Sequence, residues 1–204
     1  MRILFVLLAA ALLAQCATPE DKRFNVGQSP RALVVIGVAE AARNTSPEYV
    51  MLWRRLDADG AFTEYDGDNI IELRTNTRGS LRVRELPGEF FLVEVAPGAY
   101  ALDSVFALIH DRRVDYSANG VITGPERPAF EVAPGEAVYL GIWQADLDDV
   151  TAVARPWRLE RRDAEAVAHQ AGRIVGQIRL RQTQMRAAPC QPHQLNTRSQ
   201  RQIC

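Results

Sequence analysis

The stretch EFFLVEVAPGAYALDSVF, residues 89 to 106, most constrains what this chain can fold into. It is two apolar runs broken at Pro97-Gly98. Proline fixes φ and glycine accepts positive φ, so the dipeptide marks a tight turn. The flanking runs are rich in Phe, Val, Tyr and Leu, which suit a pleated, half-buried surface. The pattern predicts a β-hairpin at the centre of a β-domain. Val95-Ala96-Pro97-Gly98 then recurs as Val132-Ala133-Pro134-Gly135, each copy followed by an apolar run containing tyrosine. Two copies are too few for a solenoid. They suggest two equivalent hairpin corners of one antiparallel β-sandwich.

The remaining body fits a mainly β fold with one short C-terminal helix. Arg31 to Glu40 is a strongly apolar run and reads as a buried first strand. Tyr49 to Leu56, Ile70 to Arg74 and the alternating Leu81 to Leu86 read as further strands. Asn119-Gly120, a strong two-residue hairpin signal, predicts pairing of residues 114–116 with 121–123. Phe130 to Gln144 and Thr151 to Leu159 come next, and Pro156 confines the latter to an edge or a bulge. Asp163 to Gly172 reads as a helix with Asp163 as N-cap and Gly172 as terminator. Ile174 to Leu180 is either a last strand or an amphipathic extension. The domain plan is a signal (1–15), a lipidated tether (16–30), a β-sandwich (31–160), a helix and final strand (161–182) and a polar tail (183–204).

The N-terminus has the layout of a secretory signal, with Arg2 followed by an apolar run from Ile3 to Leu13. Eleven residues are too few to span the roughly 30 Å of bilayer hydrocarbon as a helix. Leu13-Ala14-Gln15-Cys16 resembles the lipobox of bacterial lipoproteins, although Gln15 stands where that pattern has a small residue. The resemblance implies acylation of Cys16. Ala17, not aspartate, comes after the cysteine, which implies the outer membrane, facing the periplasm. The two A-P-G corners, with Phe130-x-Val132 and Val138-Tyr139-Leu140-Gly141, resemble transthyretin-like or carboxypeptidase-regulatory-like β-sandwich modules over about residues 31 to 160. That resemblance implies a non-catalytic domain.

Charge adds a second asymmetry. The chain carries 24 basic and 25 acidic residues, a net charge of −1, and nothing in that balance points to nucleic acid. No acidic residue follows Glu165, whereas Arg173, Arg179, Arg181, Arg186, Arg198 and Arg201 do. Either this segment lies on an acidic face of its own domain, or it meets an anionic envelope surface or an envelope protein. Arg173, Arg179, Arg181 and Arg186 are therefore candidate binding residues. Trp53, Trp143 and Trp157 either cluster in the core or line a groove for a glycan or peptide.

With Cys16 taken by lipid, Cys190 and Cys204 remain, and an oxidising periplasm favours a disulfide between them. Closing such a loop stabilises by about 3 kcal/mol in the chain-entropy view. His110, His169 and His193 fall on separate segments, and no metal-ligand spacing, nucleophile elbow or phosphate loop is present. The expectation is a lipid-anchored envelope module with no catalytic residues, metal or cofactor. An exported hydrolase is the alternative, and it requires two histidines to converge with a carboxylate in a cleft.

Overall fold

The computed structural model describes residues 23–42, 47–78, 80–110 and 115–204. In chain order the strands are β1 (Phe24–Asn25), β2 (Ala32–Glu40), β3 (Glu48–Arg55), β4 (Ile70–Arg74), β5 (Glu89–Val95), β6 (Gly98–His110), β7 (Asp115–Val121), β8 (Glu126–Val132), β9 (Ala137–Asp148) and β10 (Thr151–Arg158). Helix α1 (Arg161–Ala171) comes next, then β11 (Ile174–Val175), β12 (Arg179–Leu180), β13 (Gln184–Ala187), β14 (His193–Gln194) and β15 (Gln202–Ile203).

Two sheets face each other. The first has the order β10-β9-β2-β5, with β12 also on β9. The second has the order β13-β8-β6-β3-β4, with β7 also on β6. Pairing is antiparallel apart from β2–β9 and β12–β9 within these sheets. Val34, Ile36 and Val38 of the first sheet meet Tyr49, Met51, Trp53, Leu102 and Val105 of the second in the central core. The other face of the first sheet is covered by α1, where Leu33, Val35, Tyr139 and Ile142 pack with Ala164 and Val167. Strand β2 is thus buried on both faces, which is why it reads as an unbroken apolar run and not an alternating one.

The Pro-Gly corners are equivalent, as expected, but they are not hairpins. β5 pairs with β2 in the first sheet, and β6 pairs with β3 and β8 in the second. Pro97-Gly98 therefore carries the chain from one sheet to the other. Pro134-Gly135 does the same between β8 and β9. Tyr100 closes the first corner by donating its hydroxyl to the Ala96 carbonyl at 2.8 Å.

Asn119-Gly120 is also not a turn. It lies inside β7, which runs antiparallel to β6 throughout. A Cβ on Gly120 would sit 1.6 Å from the Ala152 carbonyl oxygen, so the glycine serves a close approach of β10 instead. Leu81 to Leu86 forms no strand. Only a Leu81–Phe90 bridge survives, and Glu85 has a φ of 70° in the turn beyond it. Pro156 behaves as expected, sitting on edge strand β10 at a shift of register.

Asp163 is not the N-cap of α1. Glu160 holds that position, and Asp163 is buried in the first turn, accepting two 2.6 Å bonds from Arg158. The segment expected as tether joins the fold from residue 23 onward, because Phe24 is buried and β1 pairs in parallel with β11. The tail is likewise no appendage: β13 extends the second sheet beside β8, and Ala188 and Ile203 are buried.

Candidate binding groove at a sheet edge

Strand β5 is the last strand of the first sheet. Its Phe90 N–H and carbonyl pair with Leu81, away from β2. By strand alternation, Leu92 and Glu94 also turn their backbone groups outward. The Leu92 carbonyl accepts from Arg173 at 2.9 Å, and the Glu94 carbonyl from Arg31 at 3.1 Å. Among the described residues, no acceptor meets the Leu92 or Glu94 N–H.

This edge forms the floor of a groove of about 530 Å³. One wall is the C-terminal end of α1, with Gln170 and Ala171, together with Arg173 just beyond the helix. The other is β4 and the loop after it, with Glu72, Arg74 and Arg78. Half-buried Phe91, Leu92 and Val93 supply apolar surface. The charge is mostly positive. Glu72 is already engaged by Arg201 at 2.8 Å and lies 3.7 Å from Arg74. Burial pushes the Glu72 carboxyl up, but Arg201, Tyr65 and Arg74 outweigh it and hold it below the usual range. Among the described residues, no carboxylate pairs with Arg78 or Arg173.

The four arginines expected at a binding surface do not form one patch. Arg173 lines the groove. Arg179 and Arg181 both turn to Glu136, which accepts from Arg181 in a close contact and lies 3.8 Å from Arg179. Arg186 is exposed on edge strand β13 and lines a separate cleft with Phe130 and Met185. The acidic partners of this segment are therefore Glu136 and Glu72, while Asp148 pairs with Arg155.

Trp53 and Trp143 are in the core, edge to face with ring centres 5.1 Å apart. Trp157 is 53% exposed on β10. Cys190 and Cys204 form the expected disulfide, and Cys16 lies outside the described residues. The histidines do not converge: His110 ends β6 and contacts Asp115, His169 is on α1 and His193 is on β14. Ser104 is buried in mid-β6. Among the described residues, no group of three metal-ligating side chains comes together.

A second polar cluster, not foreseen from sequence, lies under the tail. A bulge in the β3–β6 register, where Leu52 faces Ser104 but Trp53 faces Leu102, turns Asp103 away from the core. Asp103 is fully buried 3.3 Å from Arg54 and accepts the Cys204 N–H at 3.0 Å. Arg54 and Arg127 both lie against the Phe62 ring, at 4.7 and 5.0 Å. Arg127 also donates to the Ile122 and Gly124 carbonyls and to Cys204 Sγ. These contacts fasten Cys204 to the sheet. The one sequence signal for the cluster is the polar pair Asp103-Ser104 inside an apolar run.

No family model matches the chain, and no curated protein matches it. A solved structure from Bacteroides fragilis, provisionally named a cell adhesion protein, matches at 13% identity with a TM-score of 0.23. The match covers 67% of this chain and 49% of that one, so this chain spans about half its length. A likeness of that degree carries no argument about function.

Proposed function

We propose that this protein is a non-catalytic interaction module of the bacterial cell envelope, anchored by lipid on Cys16 and placed at the outer membrane facing the periplasm. The observation that carries the reading is the groove on β5. It offers backbone groups, apolar side chains and guanidinium groups, a combination suited to holding another chain. It contains no nucleophile–base pair, and the histidines that an exported hydrolase would need stand on separate elements. The disulfide suits an oxidising compartment. Among the described residues, no helix is long and apolar enough to cross a membrane.

The test is intact mass of the protein extracted from bacterial membranes, with and without reductant. The expected species begins at an acylated Cys16 and gains two hydrogens on reduction. A membrane-free species with an unmodified Cys16 thiol would end the anchored reading.

A further inference from the structure

We infer that the groove takes an extended, acidic peptide segment of another envelope protein, which adds as a strand to the free edge of β5. This rests on the interaction-module reading above and specifies the partner's chemistry.

The backbone argues for a strand. Exposed edges are normally blunted by pairing, by charge or by proline. Edge strand β10 has Pro156, and β13 closes the β8 side of the second sheet. On β5 the protection stops at the Leu81–Phe90 bridge. Beyond it, the Leu92 and Glu94 N–H groups face outward, with no acceptor among the described residues. Their carbonyls are held only by side chains, Arg173 and Arg31, which can swing away. A strand laid here gains N–H···O bonds with the same residues, and the Arg173 guanidinium becomes free to bind it, whereas Arg31 stays paired with Asp68 at 3.2 Å.

The charge argues for an acidic occupant. Arg78 and Arg173 line the groove on opposite walls, with no carboxylate partner among the described residues, and Arg74 is close by. Side chains of an added strand alternate between the two walls. Carboxylates on either face therefore meet an arginine, and guanidinium–carboxylate pairs are the stronger, charge-assisted kind of bond. Phe91, Leu92 and Val93 reward apolar residues between the acids.

The chain's own N-terminal segment is the rival occupant. The Phe24 N–H donates to the Arg173 carbonyl at 2.7 Å, so the chain enters beside the groove, and Glu20 and Asp21 lie just upstream.

The test uses the full-length protein in detergent and a fluorescent heptapeptide of alternating valine and glutamate. A one-residue slip exchanges its faces, so one peptide samples both registers. Saturable binding is expected. It should weaken by about tenfold or more when every backbone amide of the peptide is N-methylated, so that neither register can donate, when glutamine replaces glutamate, and in the R78A/R173A variant. Equal binding of the N-methylated peptide would overturn strand addition. Equal binding of the glutamine peptide, or no binding by any peptide, would overturn the acidic occupant. A clear gain in affinity in the E20Q/D21N variant would assign the groove to the chain's own segment and overturn the partner. Each of these failures leaves the lipid anchor untouched, and an unlipidated mass would remove the anchor without altering the peptide result.

Discussion

Asp103 is a fully buried carboxylate beside two buried arginines. Burial pushes its carboxyl up and pushes the Arg54 and Arg127 guanidinium groups down, while the Cys204 amide and Arg54 draw Asp103 back toward its charged form. Removing one partner from a buried pair leaves an uncompensated charge, which costs about 3–5 kcal/mol. D103N keeps the shape and removes the charge from between two buried arginines. Its unfolding free energy, measured by urea titration, should fall by an amount in that range, and a D103L/R54M double variant should recover only the part owed to Arg54, since Arg127 stays buried. A D103N unfolding free energy within about 0.5 kcal/mol of the parent would show that the pair contributes nothing. Part of this was legible in the sequence, because two polar residues interrupt an apolar run. The partners were not. Arg54 and Arg127 are distant in the chain, and only the bulge between Leu102 and Ser104 aims Asp103 at them.

At the scale of elements, the long apolar strands were legible, but the absence of a strand at Leu81 to Leu86, the short strands of the expected tether and tail, and the pairing were not. Proline and glycine report that the chain must turn, but the same dipeptide serves a hairpin or an inter-sheet corner. The choice between them depends on which distant strands bury the flanking runs. Asn119-Gly120 misleads for a related reason: its glycine answers to β10, which arrives 32 residues later at Ala152. Its asparagine answers to the tail, donating to the Gln200 carbonyl and accepting from the Gln202 N–H. The groove was legible only through Arg173, since the β5 edge exists only once β5 has left β6.

The same stretch of the tail is also held by Arg201 on Glu72, and this tie is pH-dependent. The folded Glu72 pKa lies below its ordinary value, so between the two the unfolded chain binds more protons. Stability from this group is complete above the ordinary carboxylate range and is lost as pH falls through the lowered value. The parent protein should therefore lose about 1–2 kcal/mol more than E72Q on acidification through that window. Urea midpoints of both proteins at a series of pH values measure it, and parallel curves would exclude the tie.

For the whole molecule, the route of the chain decides how it unfolds. Strands 2, 5, 9, 10 and 12 build one sheet and strands 3, 4, 6, 7, 8 and 13 the other, so neither sheet is a continuous piece of chain. Each Pro-Gly corner ties them again. Between them, Trp53 of the second sheet and Trp143 of the first meet edge to face, with Phe130 5.3 Å from Trp53. A sheet left alone would expose the apolar face that this contact covers, at about 25 cal/mol per Å². Separate unfolding of the sheets is thus strongly unfavourable. Denaturant curves from tryptophan fluorescence, which reports the joint between sheets, and from far-UV circular dichroism, which reports the strands, should coincide. The W157F variant removes the exposed fluorophore and should change the unfolding free energy by no more than about 0.5 kcal/mol, leaving the two buried indoles as the probe. Because most pairings are long-range, refolding should fall in the slow, millisecond-to-second class of β-sandwiches. A fluorescence transition well before the loss of circular dichroism would mean that the sheets part first and that the inter-sheet core is not what makes the fold cooperative.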